Sequence, residues 1–371
     1  MQLIAKTFKN LEPVLAEELR QLGATDIKVL KRAVSYSGNA ALLYRSNFSL
    51  RTASRVLVVL AEFDAKDYDA LYRHVKSMEW SEHITPRNTF SVSATTYSET
   101  FSNSQYVRYR VKDGIADHFR ERYGHRPSVD ADDADVPVQV HISKNRCTVL
   151  LDSSGQSLHK RGWREGQTTA PLNEALAAGL VLLSGWKGDT PLLDPFCGSG
   201  TILIEAAMIA LGIQPGVYRK KFAFQTWKNY DENLFNVIYD DDSRERTLKV
   251  TIMGSDISPR ALKTAQDNIN AAGLRKYITL TQADATKLSE RREPLTVITN
   301  PPYGVRLTDE DLNGLYHAFG KVLKFNMRGS QAWILSGDKA ALKQIGLKPK
   351  SKTEILNGDI ECLFQGYDIK P

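Results

Sequence analysis

The spacing of apolar residues changes character along the chain. In the first half, Leu11, Leu15, Leu19 and Leu22 fall on one helical stripe, Glu12, Glu17 and Glu18 lie off it, and Gly23 follows as a C-cap. Arg55 to Phe63 (RVLVVLAEF) reads as a strand, Tyr68 to Trp80 as an amphipathic helix, and Phe90 to Thr96 as an alternating strand. Val107 to Tyr123 is helical and carries Arg108, Arg110, Lys112, Arg120 and Arg122. Val136 to Ile142 and Cys147 to Asp152 form a hairpin across Ser143-Lys144-Asn145. These elements predict a mixed α+β module. A polar, basic, glycine-bearing stretch between Gly155 and Thr169 follows as a linker or hinge, and Ala170-Pro171 opens a helix over Leu172 to Ser184.

From Thr190 onward strands and helices alternate. Strands are expected to end at Leu192-Leu193 and to run over Val250–Gly254, Ile278–Thr281, Leu295–Thr299 and Gln331–Leu335. Helices are expected over Ile202–Leu211, Pro259–Gly273 and Leu312–Leu323. This order predicts a parallel, doubly wound sheet, with Glu361 to Gly366 as an antiparallel addition. Gly212 to Lys249 reads as an insertion in that pattern.

Composition narrows the class more than the activity. The chain has 371 residues, of which 42% are hydrophobic and 25% charged, so two or three folded domains are expected rather than disorder. No apolar run reaches membrane-spanning length, and Met1 to Asn10 lacks the pattern of a signal peptide, which makes the cytoplasm the expected compartment. Cys147, Cys197 and Cys362 are widely spaced, and no Cys/His cluster forms a metal-ligand pattern, so neither a disulfide framework nor a metal is expected. The net charge of +6 divides evenly about residue 160. A polyanionic partner would therefore meet a surface made by folding rather than one basic block.

The chemistry concentrates in two motifs. Asp194-Pro195-Phe196-Cys197-Gly198-Ser199-Gly200-Thr201 stands directly after a strand and directly before a helix, where an open parallel sheet binds its ligand. Gly198 and Gly200 permit the tight turn. The loop lacks a full G-x-G-x-x-G, and the chain has no phosphate loop, which disfavours dinucleotides and ATP. Asp256, with Ile257, ends the next strand and suits ribose hydroxyls; Asp284, with Ala285, ends the third and suits an adenine amino group. The interval from Gly198 to Asp256 far exceeds the ~20 residues of a simple dinucleotide fold, an excess explained by the insertion.

The second motif is Asn300-Pro301-Pro302-Tyr303-Gly304, after the strand ending at Thr299. An exocyclic base amine is a poor nucleophile because its lone pair is delocalised into the ring. The Asn300 side-chain oxygen and the Pro301 carbonyl suit its two N–H groups, drawing the nitrogen toward tetrahedral geometry. The two prolines fix the backbone, and Tyr303 suits stacking on a base removed from its helix.

The two motifs together, behind a long α+β module, resemble the THUMP-domain class I RNA methyltransferases, closest to the bacterial 23S rRNA guanine-N2 methyltransferase group. The resemblance implies an α/β fold, with a Rossmann-like class I methyltransferase domain over residues 158–371. It would follow a ferredoxin-like subdomain at 1–55 and a THUMP RNA-binding domain at 56–157. It also implies S-adenosyl-L-methionine as cofactor, held by Asp194, Phe196, Gly198, Gly200, Thr201, Asp256, Ile257, Asp284 and Ala285. Asn300, Pro301, Pro302 and Tyr303 would be catalytic, and ribosomal RNA the partner. Ala170 to Glu174 would border the cofactor pocket.

His159-Lys160-Arg161-Gly162-Trp163-Arg164 matches the family's basic hinge. Lys160, Arg161 and Arg164 are either phosphate contacts or part of a solvated linker, and Arg108 and Arg110 on the basic helix are further phosphate candidates. Aromatic and basic residues interleave from Tyr218 to Phe235, as in a base-stacking surface or, more simply, a small satellite core. Adenine-N6 methylation of DNA or RNA and protein-glutamine methylation use the same motif. A catalytically idle RNA-binding or ribosome-assembly protein is the reading of another class.

Overall fold

The computed structural model describes residues 1–166, 171–291, 293–303 and 309–371. They form two compact units. The first comprises Met1–Lys6, Ala16–Leu158 and Arg219–Asp241; the second comprises Thr7–Leu15, His159–Tyr218 and Asp242–Pro371. Ala170 and Gly304, singled out in the sequence, lie outside the described residues.

The chain begins with β1 (Gln2–Lys6), α1 (Glu12–Gln21), β2 (Thr25–Leu30), β3 (Ala33–Ser37), α2 (Ala40–Ser49) and β4 (Arg55–Asp64). It continues through α3 (Tyr68–Ser77), β5 (Thr89–Tyr97), α4 (Ser104–Tyr123), β6 (Ser128–Val129), β7 (Val136–Ser143) and β8 (Arg146–Asp152). All eight strands join one sheet in the order β2-β3-β1-β4-β8-β7-β5-β6. The ten-residue β4 is its seam, pairing antiparallel with β1 near one end and with β8 along most of its length.

Residues from the insertion belong to this first unit. Phe222, Phe224 and Phe235, the last on α7 (Glu232–Tyr239), are buried. The Phe224 ring stacks on Tyr44 at 4.5 Å between centroids, and Phe235 meets Tyr44 and Phe48 edge-on. The interleaved aromatics are therefore a satellite core, and the bases they might have stacked would find these rings already covered.

The second unit contains α5 (Glu174–Ser184), β9 (Leu192–Asp194), α6 (Thr201–Leu211), β10 (Ile252–Asp256), α8 (Pro259–Ala271) and β11 (Ile278–Gln282). After these come β12 (Thr296–Thr299), α9 (Asp309–Asn326), β13 (Gln331–Ser336), α10 (Lys339–Gln344), β14 (Ser351–Asn357) and β15 (Ile360–Asp368). The sheet order is β11-β10-β9-β12-β13-β15-β14. The first five strands are parallel, while β15 runs antiparallel to β13 and pairs antiparallel with β14. Helix α6 is apolar nearly all round and buried, as a helix walled in by core must be. Helix α8 is amphipathic, capped by Ser258 accepting from the Ala261 N–H, with Pro259 in its first turn. No helix among the described residues is long and apolar enough to cross a membrane.

Thr7–Leu15 gives this unit part of its core. Leu11 is fully buried in the cluster that includes Leu172, Leu176, Leu180, Trp163 and Ile202. It fits because residue 179 is glycine: a methyl there would stand 2.4 Å from Leu11 Cδ1. Replacing Leu11 with Ala should cost about 2–5 kcal/mol of stability in chemical denaturation of the whole chain. The same change at Val29, 55% exposed on an edge strand, should stay within about 0.5 kcal/mol.

Candidate active site

Strand β9 lies between β10 and β12, so chain order reverses across it and the loops at its carboxyl end diverge. Such a switch point opens a crevice at the strand ends. A cavity of about 1190 Å³ opens there, large for one ligand of drug size. Asp194, Phe196, Gly198, Thr201, Asp256, Ile257, Asp284, Ala285 and Asn300 to Tyr303 all line it.

The loop is held from three sides. Asp194 is buried, and its Oδ1 accepts from Thr299 Oγ1 at 2.6 Å and from the Phe196 N–H at 3.2 Å. Asp256 accepts from the Gly198 N–H at 3.0 Å through Oδ2 and from the Ser258 N–H at 2.9 Å through Oδ1. The Asn268 amide, on α8, donates to the Ser199 carbonyl and to the Gly166 carbonyl, both at 3.0 Å. Gly200 is absent from the lining. Its positive φ of 79° caps α6, and a side chain there would approach Ala265 Cβ to 3.3 Å, so close helix packing explains this glycine.

Asp284 caps a short 3-10 turn, accepting from the N–H and Oγ1 of Thr286. The Thr286 hydroxyl holds its carboxyl below the usual range, so it is an anion in the cavity wall at neutral pH. Ile257 beside it is 66% exposed, an apolar surface suited to covering a flat ring.

Asn300 continues β12 into the second motif. Its Oδ1 is shielded and has no hydrogen-bond partner among the described residues. Among them, no donor reaches the Pro301 carbonyl either, whereas the Pro302 carbonyl accepts from the Tyr316 hydroxyl at 3.3 Å. Two adjacent acceptors are thus left to receive N–H groups. Tyr303 is fixed by its own hydroxyl, which accepts from the Asn357 amide at 2.8 Å. Its ring also crosses Gly337, where a methyl would stand 2.9 Å from Tyr303 Cδ2.

The basic hinge departs from expectation. Arg161 is 2% exposed and grips Glu205 through two bonds, Nε to Oε1 at 3.1 Å and a terminal nitrogen to Oε2 at 3.3 Å. It is therefore not a phosphate contact, and the stretch is not a solvated linker. Arg164 donates to Glu174, Ser199, Thr201 and the Leu172 carbonyl, so its fork is occupied in bracing the loop and α5. Lys160 is exposed beside a second, smaller cavity. In the first unit, Arg108 is exposed and donates to the Val92 carbonyl, and Arg110 pairs with Asp69 while stacking on Tyr72.

An RMKL-like methyltransferase domain matches residues 161–365, a THUMP domain residues 65–152, and an RlmL ferredoxin-like domain residues 2–57. The chain belongs to this methyltransferase family. It is 36% identical to slr0064 of Synechocystis, named as a candidate RNA methyltransferase, over 98% of this chain and 96% of that one. It is also 37% identical to the ribosomal RNA large subunit methyltransferase K/L of Photobacterium profundum over 99% of its length, spanning 53% of that protein. The chain thus covers about half the length of these K/L relatives. Among solved structures it resembles SMU.472, crystallised with SAH, with a TM-score of 0.91 and 29% identity, covering 100% and 98% of the two chains. A predicted N6-adenine-specific DNA methylase from Listeria monocytogenes matches with a TM-score of 0.90 and 31% identity, over 100% and 96%.

Several wall residues of this methyltransferase domain carried no motif. Phe8, Asn357, Gly358 and Ile360 line the cavity from segments far apart in sequence. Only folding of Thr7–Leu15 and of the β14–β15 hairpin gathers them.

Burial pushes the Asp194 carboxyl up to about 7, against the hydrogen bonds from Thr299 and Phe196 and with a contribution from the Asp256 charge. A carboxyl raised in the folded state keeps a proton that the unfolded chain, with its ordinary value of 3.8, has released. Its contribution to stability therefore falls as pH rises between those two values. In cofactor-free protein, Asp194→Asn should gain stability relative to the parent as pH is raised from about 4 to 7, by on the order of 4 kcal/mol at most. Urea denaturation of both proteins across that range gives the difference; parallel pH profiles would contradict the assignment.

Proposed function

We propose that this chain transfers the methyl group of S-adenosylmethionine to an exocyclic base amine in RNA, most specifically guanine N2 of large-subunit ribosomal RNA. The observation that supports the reading is a pair of acceptors without a partner among the described residues, Asn300 Oδ1 and the Pro301 carbonyl, in a strand-end cavity with acidic walls. The relatives named for ribosomal RNA methylation favour RNA as the substrate class, and the THUMP match agrees with it.

When bound, the cofactor supplies an electrophilic methyl on a sulfonium whose leaving group is a neutral thioether. The work left to this chain is placement. Asp256 and Asp284 are suited to the ribose hydroxyls and the adenine amino group, with Ile257 and Phe196 against the flat ring. Asn300 and Pro301 accept the two amine N–H bonds, so the nitrogen lone pair turns out of the ring plane toward the methyl carbon. With the cofactor bound, the amine nitrogen would take the methyl carbon as the neutral thioether leaves, and one of its N–H protons would pass to water. Alignment of this kind can supply ~7–11 kcal/mol of a barrier.

Asn300→Ala should lower kcat strongly while cofactor affinity stays within about twofold, because the bonds it makes strengthen only as the amine pyramidalises. Near-normal turnover in that variant would sink the amine-orienting role. Asp256→Ala should instead weaken cofactor binding by about 1–3 kcal/mol, read by calorimetry. Nucleosides from RNA methylated by the parent should contain N2-methylguanosine by mass spectrometry. N6-methyladenosine, or methylation of DNA in preference to RNA, would move the chain to the adenine reading carried by the name of the Listeria relative.

A further inference from the structure

Phe8 stands two residues beyond the end of β1, in a stretch without any sequence motif, yet its side chain forms part of the cavity wall. The stretch is built to hold it there. Lys9 Nζ reaches the Glu354 carboxylate at 3.0 Å, and the Asn10 amide donates to the Glu354 carbonyl at 2.7 Å. Asn10 takes a left-handed φ of 67°, which turns the chain so that the Leu11 N–H donates to the Phe8 carbonyl at 3.1 Å. Leu11 is then locked over Gly179. The backbone of Phe8 is therefore fixed from the side of β14 and from the side of α5, while its ring is left half-buried at the cavity.

The cavity has two chemically distinct ends. Strands β9, β10 and β11 bring the carboxylates Asp194, Asp256 and Asp284 to one; β12 and the β14–β15 hairpin bring Asn300 to Tyr303, Asn357, Gly358 and Ile360 to the other. Lys9 and Asn10, the two residues after Phe8, are tied to Glu354, three residues before Asn357 on the same strand, which sets Phe8 on the hairpin's side of the cavity. That end combines the amine acceptor of Asn300, without a partner among the described residues, with apolar walls, the surroundings a purine ring with an exocyclic amine would need. Tyr303 cannot swing freely to meet such a ring, because Asn357 holds its hydroxyl and Ile360 and Tyr303 both press on Gly337. A base drawn out of its helix loses stacking on two faces, and a second aromatic surface would restore part of it.

We propose that Phe8 is a substrate-contacting residue that stacks on the extruded purine at the Asn300 end of the cavity. This rests on the reading of the chain as an RNA base methyltransferase. It makes Thr7–Leu15 a working part of the acceptor site, supplied by the N-terminal end of the chain.

The test uses the full chain, tritiated S-adenosylmethionine and deproteinised large-subunit ribosomal RNA from cells lacking this chain. Single-turnover transfer at saturating RNA should slow at least tenfold in Phe8→Ala and in Phe8→Leu, which keeps apolar bulk. Phe8→Tyr and Phe8→Trp should recover to within about threefold of the parent. Cofactor affinity by calorimetry and the melting temperature should match the parent in Phe8→Leu, the variant that keeps the assignment testable if Phe8→Ala folds poorly. Transfer by Phe8→Leu within twofold of the parent would overturn the stacking role. So would a loss of cofactor affinity equal to the loss of rate, which would place the ring against the cofactor. A parent that methylates no RNA while methylating DNA or protein would instead overturn the RNA reading, and this inference with it.

Discussion

The site depends on one buried hydrogen bond, from Thr299 Oγ1 to Asp194 Oδ1 at 2.6 Å. It joins the ends of β9 and β12, the parallel neighbours between which the chain order of the strands reverses. Each residue stands at the start of a motif: Asp194 opens the glycine loop, and Thr299 precedes Asn300. Burial makes the bond consequential, since an unpaired carboxylate at this depth would be costly and even the paired one is pushed toward protonation. A single contact thus couples the loop lining one end of the cavity to the acceptor motif lining the other. Methyl transfer demands that donor and acceptor share one line, and a fixed distance between these strand ends is how a sheet supplies it.

Around this bond lies a second, more polar brace that sequence reasoning assigned elsewhere. Arg161 and Arg164 lie in a basic run, and charge runs usually face solvent or phosphate. Here Glu205 and Glu174, buried on helices that are otherwise mostly apolar, are their partners. A lone glutamate in each of two greasy helices was the available signal. A buried carboxylate requires a cation. For Glu174 the nearest in sequence is Arg164 of the hinge, whereas Glu205 is closer in sequence to Lys187 and Arg219 than to Arg161, so that pairing was not legible from spacing. The two bidentate or multiply bonded arginines hold the entry segment against α5 and α6, so the hinge is structural wherever its guanidinium groups are already spent.

The methyltransferase sheet was legible because its central parallel strands β9, β12 and β13 are almost wholly buried and read as apolar runs separated by helices. The motifs were legible because glycine and proline constrain the backbone at fixed points after those strands. Strand β14 escaped notice for the opposite reason: in Ser351–Asn357 only Ile355 is buried, so an edge strand of mostly polar residues leaves no period to read. The same blindness hid Asn357, which fixes Tyr303 from that strand. The apolar stretch Val250–Gly254 stopped short of the end of β10, yet Asp256 does end it, since Ser255 and Asp256 stay in register with β11. Phe8 carried no signal at all, since its importance comes from Asn10, Leu11, Gly179 and Glu354 meeting in space.

That last case shows how a cavity wall can be inherited from outside the sequence limits of its domain. The family match to the methyltransferase begins at residue 161, and the match to the ferredoxin-like domain covers residues 2–57. Leu11 nevertheless fills the methyltransferase core, and an apolar hole left by its removal would not be closed by the glycine beneath it. A cut made at the sequence boundary therefore strips a core residue and a wall residue together. Loss of activity in such a fragment would be expected from packing alone, whatever grip on substrate the earlier residues provide. The question of who holds the substrate is separable from the question of who completes the cavity only by point substitutions in the intact chain.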